Sequence, residues 1–84
     1  MTVEIQKKTL KKFIHLNPAA IKTALFFKAV SDKNSFVNMT QIEIANELDF
    51  TKKTVIVSIQ NLVKNGLIIV HKRVPKKNIY EVVF

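Results

Sequence analysis

Residues 40–84, TQIEIANELDFTKKTVIVSIQNLVKNGLIIVHKRVPKKNIYEVVF, read as a helix, a tight turn, a second helix and a two-stranded hairpin with a basic tip. Thr40-Gln41-Ile42-Glu43 is a capping box: the Thr hydroxyl accepts from the amide of residue 43 while the Glu side chain reaches back to the amide of Thr40. It starts a helix over 41–48 whose inward face is Ile44, Ala45 and Leu48, with Ala45 small enough to let another helix approach closely. Asp49-Phe50 makes the turn and Thr51 caps the next helix, which covers 52–65 with Val55, Ile59 and Leu62 as its core stripe. Gly66, the only glycine of the chain, ends that helix in the left-handed conformation that closes helices. Branched residues over 67–74 and 79–84 flank Pro75-Lys76-Lys77-Asn78, so residues 67–84 make the hairpin.

Upstream, Asn17-Pro18 is a helix start, because Asn accepts from a free amide at the N-cap and Pro is preorganised for the first helical position. The helix it begins covers 18–31. Ala20, Ile21, Ala24, Leu25, Phe27 and Val30 occupy more than one narrow stripe, which predicts a buried central helix. Asp32-Lys33-Asn34-Ser35 closes it as a polar turn, and Phe36-Val37-Asn38-Met39 can supply a short strand. Residues 2–16 form a further amphipathic helix, with Leu10, Phe13 and Ile14 on one face and Lys7, Lys8, Lys11 and Lys12 on another.

The 84 residues make one domain, 1–84, with room for a single core of three or four helices but none for a separate catalytic domain. Fourteen Lys and Arg against six Asp and Glu leave a formal charge of +8, which favours polyanionic partners. The absence of Cys excludes disulfides and cysteine-based zinc sites, and two His without an acidic cluster predict no metal. No stretch reaches the roughly 18–20 apolar residues of a membrane span, and the amino terminus has no signal-peptide pattern, so an intracellular, cytoplasmic protein without a membrane partner is expected. His15 and His71 lack an acidic orienter, and no paired carboxylates or Gly-rich phosphate loop is present. The sequence therefore predicts no enzyme, no catalytic residues and no cofactor.

The order Thr-x-x-Glu-Ile-Ala-x-x-Leu, short turn, Thr-x-x-Thr-Val, then Asn-Gly-Leu-Ile and a hairpin resembles the winged helix-turn-helix family over residues 18–84, most densely over 40–69. The resemblance implies an α+β fold of three to four helices with a C-terminal two-stranded wing. It also implies binding of double-stranded DNA, with helix 52–65 entering the major groove by its amino-terminal end. Thr51, Lys52, Lys53 and Thr54 then lie where free amides and the positive end of the helix dipole suit phosphate and neighbouring base edges. Thr40 and Gln41 would meet the backbone, and Lys72, Arg73, Lys76 and Lys77 of the wing would reach an adjacent groove or backbone. Taken singly, each lysine is an ordinary solvated charge; their grouping on one face carries the expectation.

One feature departs from the family pattern. Ile56, Val57 and Val63 stand where such helices carry polar side chains, and Ile56, Gln60 and Val63 follow i, i+4, i+7 as a second stripe. Leaving it wet forgoes on the order of 1.5–3 kcal/mol per large apolar side chain. A homodimer covering Ile56, Val57, Gln60 and Val63 is the simplest resolution. In size, basic charge and apolar recognition helix the chain looks like the TubR-type centromere-binding adaptors of tubulin-like plasmid and phage partition systems, which dimerise through this helix and present DNA to a filament-forming GTPase. The resemblance implies a role in plasmid or phage partition or replication control. Transcriptional repression by the same fold is one alternative, and a protein-interaction module that does not bind DNA is another.

Overall fold

The computed structural model describes residues 7–73 and 77–84. Among the described residues there are four helices, α1 (Lys7–Phe13), α2 (Pro18–Val30), α3 (Gln41–Leu48) and α4 (Lys52–Lys64), and three strands, β1 (Phe36–Val37), β2 (Ile68–His71) and β3 (Ile79–Val82), in the chain order α1-α2-β1-α3-α4-β2-β3. The strands form one antiparallel sheet in the order β1-β3-β2. A helix-turn-helix followed by a hairpin that a short upstream strand extends is a winged helix-turn-helix, the α+β architecture expected from the sequence.

Local chemistry explains most boundaries. Asn17 Oδ1 accepts from the Ala20 amide at 2.8 Å, with Pro18 at the first helical position, and α2 ends where Ser31 turns extended. Thr40 and Glu43 close the capping box reciprocally at 3.1 and 3.0 Å. Gly66 adopts φ +70° beyond the C-cap Asn65, and the Leu67 amide then bonds back to the Leu62 carbonyl at 2.9 Å.

Some boundaries differ from the sequence reading. The first helix stops at Phe13 and turns through Ile14–Leu16, with the Leu16 amide on the Phe13 carbonyl, so the helix expected over 2–16 is shorter at its carboxyl end. Residues 2–6 of that span lie outside the described residues. The first wing strand is four residues, Ile68–His71, rather than 67–74, of which Val74 is outside the described residues.

The core is built from α2, α4 and the inner face of the sheet. Ala20, Thr23, Ala24 and Phe27 are the buried face of α2, at i, i+3, i+4 and i+7. Leu25 and Val30 are exposed, so α2 buries one face rather than most of its surface. Thr23 is tolerated inside because its hydroxyl donates to the Ala19 carbonyl at 2.8 Å. Val55, Ser58, Ile59 and Leu62 face it from α4, and Val37, Ile68, Tyr80 and Val82 from the sheet. Small side chains on both helices, Ala20, Ala24 and Ser58, allow α2 and α4 to pack closely.

Candidate nucleic-acid interface

The amino-terminal ends of α3 and α4 and the root of the wing meet along one edge of the molecule. Asp49 makes this possible: in the left-handed conformation, φ 56°, it reverses the chain after α3, and Phe50 bonds back to the Ala45 carbonyl at 2.9 Å. Thr51 follows as N-cap, its hydroxyl accepting from the Thr54 amide at 3.2 Å and lying 2.9 Å from the Thr54 hydroxyl. The first turn of α4 thus leaves the amides of Lys52 and Lys53 without helical acceptors, and α4 has no acidic residue in that turn.

Between these ends lies a cleft of about 300 Å³ lined by Thr40, Gln41, Lys52, Lys77, Asn78 and Tyr80, together with Met39 and Ile42. Two ammonium groups, two hydroxyls and two side-chain amides around one opening suit a phosphate oxygen. The Tyr80 ring is buried, and burial pushes its phenol up from the ordinary value, while hydrogen bonds with the Gln41 and Asn78 side chains pull the other way.

Glu43 stands at the rim. Its Oε1 accepts from the Thr40 amide and lies 3.7 Å from Lys77 Nζ. The hydrogen bond from the Thr40 backbone, then that from the Thr40 side chain, and more weakly Lys77, hold its carboxyl below the ordinary value.

The residues expected at a DNA surface are therefore divided. Thr40, Gln41, Lys52 and Lys77 share the cleft, whereas Lys53 and Thr54 line a separate, more apolar hollow of about 470 Å³ with Val57, Ser58 and the start of α2 at Asn17–Ala19. Thr51, exposed, caps the helix between the two. On the wing, Lys72 is exposed beyond β2, and Arg73 folds across the hairpin so that its Nε donates to the Lys77 carbonyl at 3.3 Å. Lys76 lies outside the described residues. Sequence reasoning missed Asn78 and Tyr80 as cleft residues and Glu43 as a partner of the wing. The capping-box signal located Glu43 on its helix, but only the pairing of β1 with β3 brings Lys77 beside it.

The four residues expected at a dimer contact are not one surface. Ile56 is half-buried, and Val63, on the same shoulder of α4, is 44% exposed; Gln60 is exposed beside them. Val57, also exposed, is about 100–120° around the helix from Ile56 and Val63 and faces the hollow with Lys53 and Thr54.

No group of three or more His, Cys, Asp or Glu is placed to hold a metal among the described residues, and no helix there is long and apolar enough to cross a membrane. No protein-family model matches the chain, and no curated protein does. Among solved structures it is similar to an N-terminal domain of a DNA-binding protein, with a TM-score of 0.66 and 16% identity over 100% of this chain and 75% of that one. At that identity the likeness is one of fold.

Proposed function

We propose that this chain binds double-stranded DNA, with the first turn of α4 in the major groove and the wing on the neighbouring backbone. The observation that carries the reading is the convergence of Thr40, Gln41, Lys52 and Lys77 on one cleft at two helix amino termini, in a chain of net charge +8. The DNA-binding description of the structurally similar domain agrees with it. In this reading the chain is a binding protein, without catalytic chemistry or cofactor.

The active species is a homodimer joined along the α4 shoulder of Ile56, Gln60 and Val63, which leaves Val57 beside Lys53 and Thr54 on the DNA side. The exposure of Val63 on a helix with a complete core stripe supports this arrangement. A dimer of this kind fits plasmid or phage partition, handing DNA to a filament-forming tubulin-like GTPase, or replication control. Binding of labelled duplexes carrying the gene's upstream region tests the reading. Cooperative occupation of tandem repeats supports partition, and a single inverted repeat supports repression. No shift at low salt overturns DNA binding and favours the protein-interaction module.

A further inference from the structure

The basic edge contains a carboxylate that a pure phosphate-binding surface has no use for. Glu43 is half-exposed at the rim of the cleft, and its Oε1 is held in place by the Thr40 amide at 3.0 Å while facing Lys77 Nζ at 3.7 Å. The helix does not require the charge for its cap, because a Gln at the third helical position completes a capping box equally well. Besides suiting the α3 amino terminus, the negative charge acts on Lys77 and on any anion that enters beside it.

We infer that Glu43 acts as an electrostatic check on the wing: it occupies Lys77 in the free protein and repels the DNA backbone at this rim, so that sequence-independent binding is weakened. The inference rests on the DNA-binding reading above and deepens it by naming a residue that limits non-specific affinity. A phosphate approaching the cleft must draw Lys77 away from Glu43 and then sit near a carboxylate that its hydrogen bond with the Thr40 amide favours at this rim. Lys52 and the α4 amides are not opposed in this way, since the first turn of α4 contains no acid. The wing lysine therefore contributes its full charge only where contacts along α4 already hold the duplex in register, a form of discrimination that works by penalising the wrong complex.

The test is a double-mutant cycle on the full chain: wild type, Glu43→Gln, Lys77→Ala and the double variant, titrated with a labelled random-sequence duplex from about 50 to about 200 mM salt. Gln keeps the geometry of the cap and removes the charge, and an unchanged far-ultraviolet circular dichroism spectrum with a cooperative unfolding transition verifies that the fold is retained, the midpoint falling slightly with loss of a charge favoured at the α3 amino terminus. The expected result is that Glu43→Gln binds random duplex about two- to fivefold more tightly, the range an exposed ion pair supports. Its log-log salt slope should be steeper by about 0.9, one further phosphate neutralised. In the Lys77→Ala background the change of slope should vanish and the gain in affinity should shrink to the direct repulsion between Glu43 and phosphate. A Glu43→Gln protein that binds random duplex no better than a DNA-binding wild type overturns the inference alone. So does a gain that is undiminished without Lys77, which would be a general effect of net charge. If neither wild type nor Glu43→Gln binds at about 50 mM salt, the DNA-binding reading falls and takes the inference with it.

Discussion

Phe27 and Tyr80 lie stacked with ring centroids 5.4 Å apart and planes 29° from parallel, joining the middle of α2 to the central strand of the sheet. Both are buried, so this contact is where the helical layer and the wing become one core. Phe27→Ala should lower the unfolding free energy by about 3–5 kcal/mol, measured by urea denaturation. Tyr80→Phe keeps the ring and removes only the hydroxyl that shares the cleft with Gln41 and Asn78, so it should cost no more than about 0.5–1.5 kcal/mol.

The same phenol makes stability depend on alkaline pH. Burial raises the Tyr80 phenol above its ordinary value of 10.0 in the folded state, so the neutral form is favoured there relative to the unfolded chain. Its contribution is fully present below the unfolded value and is lost as pH rises through the higher folded one. Urea midpoints followed upward from neutral pH should therefore fall more steeply for wild type than for Tyr80→Phe. Parallel curves would remove Tyr80 as the titrating group.

Two local substitutions probe the ends of α4. Thr51→Ala removes the acceptor for the Thr54 amide and should cost about 1 kcal/mol. Gly66→Ala places a Cβ 3.5 Å from Lys12 Nζ, an ordinary contact, so its cost comes from the left-handed φ of +70°. That cost should be about 1–2 kcal/mol by chemical denaturation. A neutral Gly66→Ala would mean that the chain after α4 relaxes to another path.

On DNA, the division of the basic residues into two groups predicts two phenotypes. Lys77→Ala should weaken binding to every sequence, somewhat more on a selected site where Lys77 is free of Glu43, and flatten the salt dependence, whereas Lys53→Ala or Thr54→Ala should change which bases the selected site prefers. With roughly four to eight phosphates neutralised per dimer, the wild-type log-log salt slope should be about −4 to −7. Equal losses on selected and random duplex for the Lys53 and Thr54 variants would remove the first turn of α4 from base readout.

Val63→Glu should produce a folded monomer. Val63 is 44% exposed, so the charge leaves the core of α4 intact while placing like charges across a two-fold contact. Analytical sedimentation should show the wild type as a dimer and the variant at half its mass, with weaker DNA binding. Val57→Glu, on another side of the helix, should leave the mass unchanged and impair DNA binding alone. A wild type that is monomeric at tens of micromolar would sink the dimer.

Legibility in the sequence followed the range of the forces involved. The capping box at Thr40 and Glu43, the Asn17-Pro18 start and the Gly66 stop are satisfied within four residues of chain, so residue identity and spacing determined them. The core stripe of Val55, Ile59 and Leu62 was equally readable, because helical periodicity puts those side chains on one side whatever packs there.

Other features depend on what arrives from elsewhere in the chain. The apolar residues of α2 did not reveal that only the Ala20–Phe27 face would be covered, since α4 and the sheet decide which side is buried. Helical spacing already set Val57 apart from the Ile56, Gln60 and Val63 stripe, but only the approach of the α2 amino terminus to α4 decided that it faces a hollow with Lys53 and Thr54. By itself, then, the sequence determined the elements, their caps and the basic character of one edge. The tertiary structure decided which lysines share a cleft and that Glu43 meets Lys77 there, because contacts across 34 positions of chain exist only once β3 is seated between β1 and β2.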